Sequence, residues 1–63
     1  MMSFANAIDA LDQGLRLTRA GWTVGAFIYR SGNTIMQFDG TATTAAWAPL
    51  LADIVAMDWE VVR

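Results

Sequence analysis

Four residues of this chain have side chains suited to holding a small charged ligand: Arg19, Trp22, Trp47 and Asp53. The planar fork of an arginine meets a phosphate with two parallel hydrogen bonds. An indole offers a nucleobase a flat face, and such stacking contributes about 1–3 kcal/mol per base whatever the base. These residues fall in the first two of three short clusters: Arg19-Ala20-Gly21-Trp22, Trp47-Ala48-Pro49 followed by Asp53, and Asp58-Trp59-Glu60. The clusters contain all three tryptophans of the chain. An indole combines a large apolar area with one N–H that needs a partner, so each marks either a core or the wall of a pocket.

Each candidate also has a purely structural use. Arg19 can form a surface ion pair with Asp53, Asp58 or Glu60, which contributes little, or stand at a pocket mouth for phosphate. Asp53 can cap or brace instead of binding. Gly21 fits a positive φ or a close approach by the Trp22 indole. Trp59, beside Val61 and Val62, reads as packed; Trp47, after a small-residue loop, is the better stacking platform; Trp22 lies between. Tyr29, Thr41, Thr43 and Thr44 read as a strand face and a solvated loop.

The same inventory argues against catalysis. The chain has no histidine, cysteine or lysine, and its only serines are Ser3 and Ser31. Nucleophilic catalysis needs an activating base beside the nucleophile, and only carboxylates could serve. Asp53 and Asp58 are close in sequence, but a helix end is expected between them, so nothing makes them face one another. The expectation is a protein that is not an enzyme and carries no cofactor and no metal.

At 63 residues the chain is read as a single domain, 1–63. Burial contributes on the order of 90 kcal/mol at about 25 cal/mol/Å². Ordering the chain costs about the same, at roughly 1.5 kcal/mol per residue. A disulfide is excluded by the lack of cysteine, so a partner subunit is the remaining staple. A hydrophobic content of 56% exceeds what so small a core hides, which points to a homo-oligomer, a dimer or tetramer. A net charge of −2 without lysine disfavours long nucleic acid, which needs a clustered basic surface. The start lacks the basic region of a signal peptide, and the longest uncharged stretch, 40–52, is too short to span a bilayer. The chain is expected to be soluble, with no membrane partner.

Hydrophobic periodicity supplies the scaffold. Residues 3–13 read as a helix capped by Ser3, with Phe4, Ala7, Ile8 and Leu11 on one face and Gly14 as the stop. Leu15–Arg19 alternates as a strand, Leu15 and Leu17 inward. Val24–Arg30 and Thr34–Phe38 form a hairpin about Ser31-Gly32-Asn33, with Val24, Ala26 and Ile28 on one face and Phe27 and Tyr29 on the other. Both faces of the hairpin carry apolar residues, Ile28 and Ile35 on one and Phe27, Tyr29, Met36 and Phe38 on the other; one face can cover the helix, and the second must meet another subunit or stay exposed. Thr41–Ala46 reads as a loop, Pro49 to Ala56 as a short helix with Pro49 in its first turn, and Asp58–Val62 as a strand within the sheet. The fold class is α+β: an N-terminal helix packed on a small antiparallel sheet, with a short second helix before the C-terminal strand.

The helix ending at Gly14, the Arg19-x-Gly21-Trp22 motif and the run Trp47-x-Pro49-x-x-x-Asp53-x-x-x-x-Asp58-Trp59-Glu60 resemble the second Thoeris anti-defence family of small phage proteins. The resemblance covers nearly the whole chain except its middle. It implies a homo-oligomer, commonly a tetramer, with ligand pockets where subunits meet. It also implies a sponge acting in the host cell cytoplasm, sequestering cyclic ADP-ribose-type or related cyclic nucleotide immune signals without cleaving them. Arg19 would then hold phosphate, and Trp22 or Trp47 the adenine. The chain departs from the family pattern in its short middle segment, where Thr23-Val24-Gly25 follows the first Trp, and in Leu50-Leu51, where polar residues are usual. The other reading of the same residues is a small oligomeric protein–protein interaction module with no nucleotide ligand.

Overall fold

The computed structural model describes residues 2–62. Ser3 caps α1 (Phe4–Asp12), its hydroxyl accepting from the Asn6 N–H at 3.3 Å. At the other end the Gly14 N–H donates to the Leu11 carbonyl and the Leu15 N–H to that of Ala10. This pair of bonds is the Schellman stop, and it needs the positive φ of 87° that Gly14 supplies. Ala7, Ala10 and Leu11 form the buried stripe. Ala10 thus stands where Ile8 was expected, and Ile8 is exposed; two alanines let the helix lie close to the sheet, where an isoleucine would hold it off.

Five antiparallel strands follow in the order β4-β3-β2-β1-β5. They are β1 (Leu17–Arg19), β2 (Ala26–Ser31), β3 (Thr34–Asp39), β4 (Thr44–Ala46) and β5 (Trp59–Val61). β1 begins two residues later than the alternation suggests, because the Leu15 N–H belongs to the helix stop; Leu15 is exposed, not inward. β2 also begins late. The Ala26 N–H donates to the Thr23 carbonyl, closing a turn with Val24 at its tip, 95% exposed. That turn lies against Gly40, where a side chain would meet the Val24 carbonyl oxygen at 2.9 Å. With φ at 92°, Gly40 is held to glycine on both counts.

β4 occupies residues expected to be a loop. Asp39 makes it possible: one carboxylate oxygen accepts from the Thr41 N–H and hydroxyl, both at 2.8 Å, and from the Thr43 N–H at 3.3 Å. The reversed chain then pairs Thr44, Ala45 and Ala46 with Phe38, Gln37 and Met36. β5 is the opposite edge of the sheet, not an interior strand, and Met2 bridges to it as the Trp59 N–H donates to the Met2 carbonyl.

α2 (Leu51–Val55) is shorter than the expected span, and Pro49 precedes it instead of opening it. Leu50 is the N-cap, and its N–H donates to the Asp53 carboxylate at 2.9 Å. This is half of a capping box, since Leu50 has no side-chain oxygen to return the bond. The architecture is α+β, with α1 over one face of the sheet and Leu17, Ile28 and Trp59 sealed beneath. On the other face Phe27, Tyr29, Met36 and Phe38 are only half-buried. The accessible surface, 4176 Å², matches the roughly 4,000 Å² expected of a folded monomer this size. The exposed apolar groups therefore reflect arrangement, not loose packing.

Candidate functional site

Arg19 ends β1, and the Trp22 N–H donates to its carbonyl at 3.1 Å, so Arg19-Ala20-Gly21-Trp22 is a tight turn at the end of that strand. The turn aims Trp22 back over the sheet, edge-on to Trp59 at a centroid distance of 5.4 Å. Trp47 extends the β3–β4 ladder through a bond from its N–H to the Ile35 carbonyl at 2.9 Å. Its ring lies 6.0 Å from Trp59 and 6.3 Å from Trp22. Phe4 completes the cluster from α1, 5.9 Å from Trp59. Trp59 is the hub: it is 1% exposed, and its indole N–H donates to the Asp53 carbonyl at 3.1 Å. Trp22 and Trp47 are half-buried, each with part of a ring facing water.

The guanidinium of Arg19 is held by two carboxylates. Nε donates to Asp58 and Nη1 to Asp53, each at 2.9 Å. Hydrogen bonds to Asp58 first and Asp53 second raise the arginine above its ordinary pKa, and burial opposes them. The Asp53 side chain is 10% exposed; one oxygen takes Arg19 and the other the Leu50 N–H. Asp53 thereby ties β1 to the start of α2. Glu60, the third partner considered for Arg19, pairs with Thr18 across β1 and β5 and points to the other face of the sheet. The arrangement fixes the plane of the guanidinium, and neither ion pair uses Nη2.

Trp22, Trp47 and Asp53 line one cleft of about 370 Å³ together with Gln37, Ala46, Ala48 and Leu50. A second cleft of about 360 Å³ shares Trp22 and Gln37 with the first and runs on past Gly21, Thr23, Ala26 and Asp39. Arg19 opens elsewhere, into a hollow of about 680 Å³ lined by Ala56, Met57, Asp58, Trp59 and Glu60. The Arg19–Asp53 ion pair is thus the partition between the two sides. Three of the four residues picked from sequence meet in one cleft, and the fourth braces it from behind.

Gln37 was not among those four. A lone glutamine in a strand carries no sequence signal of function. Its place becomes visible only through register, since Gln37 pairs with Ile28 on one side and Ala45 on the other. That puts an amide, donor and acceptor together, on the cleft floor beneath the indoles. Chemically the cleft offers two aromatic surfaces, one amide and the edge of a carboxylate. Such a set suits a flat heterocycle with a hydrogen-bonding edge. Among the described residues no helix is long and apolar enough to cross a membrane.

No curated protein matches the chain. A family model does: that of the Thoeris anti-defense 2-like domain matches residues 2–62, and the chain belongs to this family.

Proposed function

We propose that this protein is an anti-defence sponge that binds a cyclic ADP-ribose-type or related cyclic nucleotide immune signal in the host cytoplasm and withholds it uncleaved. The observation that carries the reading is the cleft itself: two half-buried indoles over the Gln37 amide, on a chain of an anti-defence family. Trp22 and Trp47 touch at 62° and are too close to sandwich a base. The adenine instead stacks on one ring with its edge toward the other, and Gln37 meets its amino and ring nitrogens. On the far side of the Arg19–Asp53 partition, Nη2, used by neither ion pair, is the group offered to a phosphate that extends past Asp53, while Asp53 holds the guanidinium in place. Catalysis has no part in this scheme, which uses no nucleophile and no cofactor.

The sponge is a homo-oligomer in this reading, paired through the open face of the sheet. Phe27, Tyr29, Met36 and Phe38 form its apolar centre, and Arg16 and Glu60 place opposite charges toward its rim. Those same exposed apolar surfaces favour the second reading, an interaction module without a nucleotide ligand.

Depletion of free ligand separates the two. Purified protein is incubated with cyclic ADP-ribose isomers and cyclic di- and trinucleotides, filtered, and the free ligand measured before and after heating. A sponge depletes one of them and returns it intact. Trp47→Ala lowers that binding by roughly one to two orders of magnitude, the loss of one stacked base, and leaves the oligomer unchanged. Undiminished binding by the variant excludes the role given to Trp47. Indifference to every nucleotide, with a stable oligomer, supports the interaction module.

A further inference from the structure

The two clefts that share Trp22 hold negative charge and no positive charge. Asp53 lines one and Asp39 the other, and among the described residues no arginine lines either. The chain has neither lysine nor histidine to add a cation. The Arg19 guanidinium behind Asp53 does not cancel this charge, because Asp58 shares it; one positive group between two carboxylates leaves a net negative charge. Asp39 adds another. One of its oxygens takes the Thr41 and Thr43 bonds, and among the described residues no cation pairs with it. An anion is repelled from this space, and a neutral ring gains nothing from its charge.

The indoles favour the same kind of occupant. Indole faces are negative and attract a cation within about 6 Å of the ring centre more strongly than the other aromatic side chains do. Trp22 and Trp47 are inclined at 62° with centroids 6.3 Å apart, so they form a corner and not a slot. A flat cation laid on one wall of the corner brings its edge to the other. Trp59 holds both rings, at 5.4 and 6.0 Å, so the corner exists before a ligand arrives. Gln37 lines both clefts, and its donor and acceptor together complement a second amide.

We propose that this corner selects a heteroaromatic ring that itself carries positive charge, as a ring does when one of its own aromatic nitrogens is quaternised by ribose. Two kinds of nucleotide share that chemistry. One is a nicotinamide nucleotide, whose pyridinium stacks on an indole while its carboxamide pairs with Gln37 through two reciprocal hydrogen bonds. The other is a cyclic ADP-ribose closed through adenine N1, where the purine carries the charge. The selectivity rests on the nucleotide reading of the cleft and adds the sign of the ring's charge. Phosphates then lie outside the corner, away from Asp39 and on the far side of Asp53.

Probes matched in shape but not in ring charge test it. The full chain is titrated with 1-methylnicotinamide and with nicotinamide, which lacks the methyl group and the charge, while the indole N–H resonances of Trp22 and Trp47 are followed. The cation should bind about tenfold more tightly, the scale of one cation–π contact with a partly desolvated charge. Oxidised nicotinamide mononucleotide should exceed its reduced form by a similar factor. N1-linked cyclic ADP-ribose should likewise exceed an isomer linked from ribose to ribose, and the tighter of the two cationic nucleotides identifies the source. Trp22→Phe with Trp47→Phe keeps two rings but weakens their negative faces. It should lower the affinity of 1-methylnicotinamide severalfold and leave that of nicotinamide unchanged, with urea unfolding as the folding control; the wild-type comparisons decide if the variant does not fold. Equal affinity for charged and neutral probes overturns the proposal, as does a preference that survives in the folded Phe variant. Depletion of a cyclic nucleotide with neutral rings, alongside indifference to the cationic probes, removes the charge selectivity and leaves sequestration standing. Saturable binding of the cations with no cyclic nucleotide depleted does the reverse.

Discussion

The two faces of the sheet are made of the same kinds of side chain and meet opposite fates. Toward α1, Leu17, Ile28 and Trp59 are sealed. On the other side Phe27 lies 5.3 Å from Phe38 and 5.9 Å from Tyr29, with the Arg16 guanidinium 5.1 Å above the Phe27 ring. These rings pack against one another at a tilt and remain half exposed. Hydrophobicity does not distinguish the faces; the supply of covering structure does. Among the described residues the chain makes one helix of nine residues and one of five, and both lie on the same side. A short chain can finish one face of a sheet, and these two helices leave the other face without a covering layer.

Substitutions on the two faces sharpen the contrast. Trp59→Ala removes the hub of the core at a cost of about 3–5 kcal/mol. A domain of this size has only about 3–9 kcal/mol in total, so cooperative urea unfolding should disappear. Phe38→Ala on the open face should cost dilute protein under about 1 kcal/mol. Equal losses at the two positions would mean that the open face is also sealed in the monomer. Between these extremes lies Arg19→Lys. An ammonium cannot bridge Asp53 and Asp58 as the guanidinium fork does, and the site is partly solvated, so the expected loss is about 1 kcal/mol. Retained stability on urea titration would show that one ion pair suffices.

The smallest effect belongs to the β3–β4 turn. The Thr41 N–H, the Thr41 hydroxyl and the Thr43 N–H hold the Asp39 carboxyl below its ordinary value. A depressed carboxylate stabilises the fold above its unfolded pKa, near 4, and that contribution fades as pH falls through the folded value. Protection of the Thr41 and Thr43 amides, measured against the intrinsic exchange rate at each pH, should therefore fall in acid, ahead of global unfolding. Asp39→Asn should remove this acid dependence; its persistence would assign it to another group.

Sequence made most of the elements legible but not their partners. α1, the hairpin and the C-terminal strand follow from periodicity and from turn residues. β4 does not, because Thr44-Ala45-Ala46 has little intrinsic strand preference and is templated by β3 once Asp39 turns the chain. Val24 reads as a strand residue and Leu15 as inward because alternation was extended into a turn and a helix stop, where backbone bonds override it. Trp22, Trp47 and Asp53 could be named as candidates, but that they share a cleft, and that Gln37 floors it, depends on strand register. Arg19 was readable as either an ion pair or a phosphate ligand. The choice of Asp53 and Asp58 over Glu60 follows from which way β5 turns its side chains.

The packing of Trp22 and Trp47 onto Trp59 has an optical consequence. Three indoles within 6.3 Å of one another do not absorb or emit independently. Excitation passes among them, and their transition dipoles, which lie in ring planes inclined at 62–88° to one another, couple into a near-ultraviolet circular dichroism signal that free tryptophan lacks. The chain has no other tryptophan to dilute this signal. A chromophore settling on Trp22 or Trp47 would quench the whole set at once, so the protein carries its own label for whatever enters the cleft.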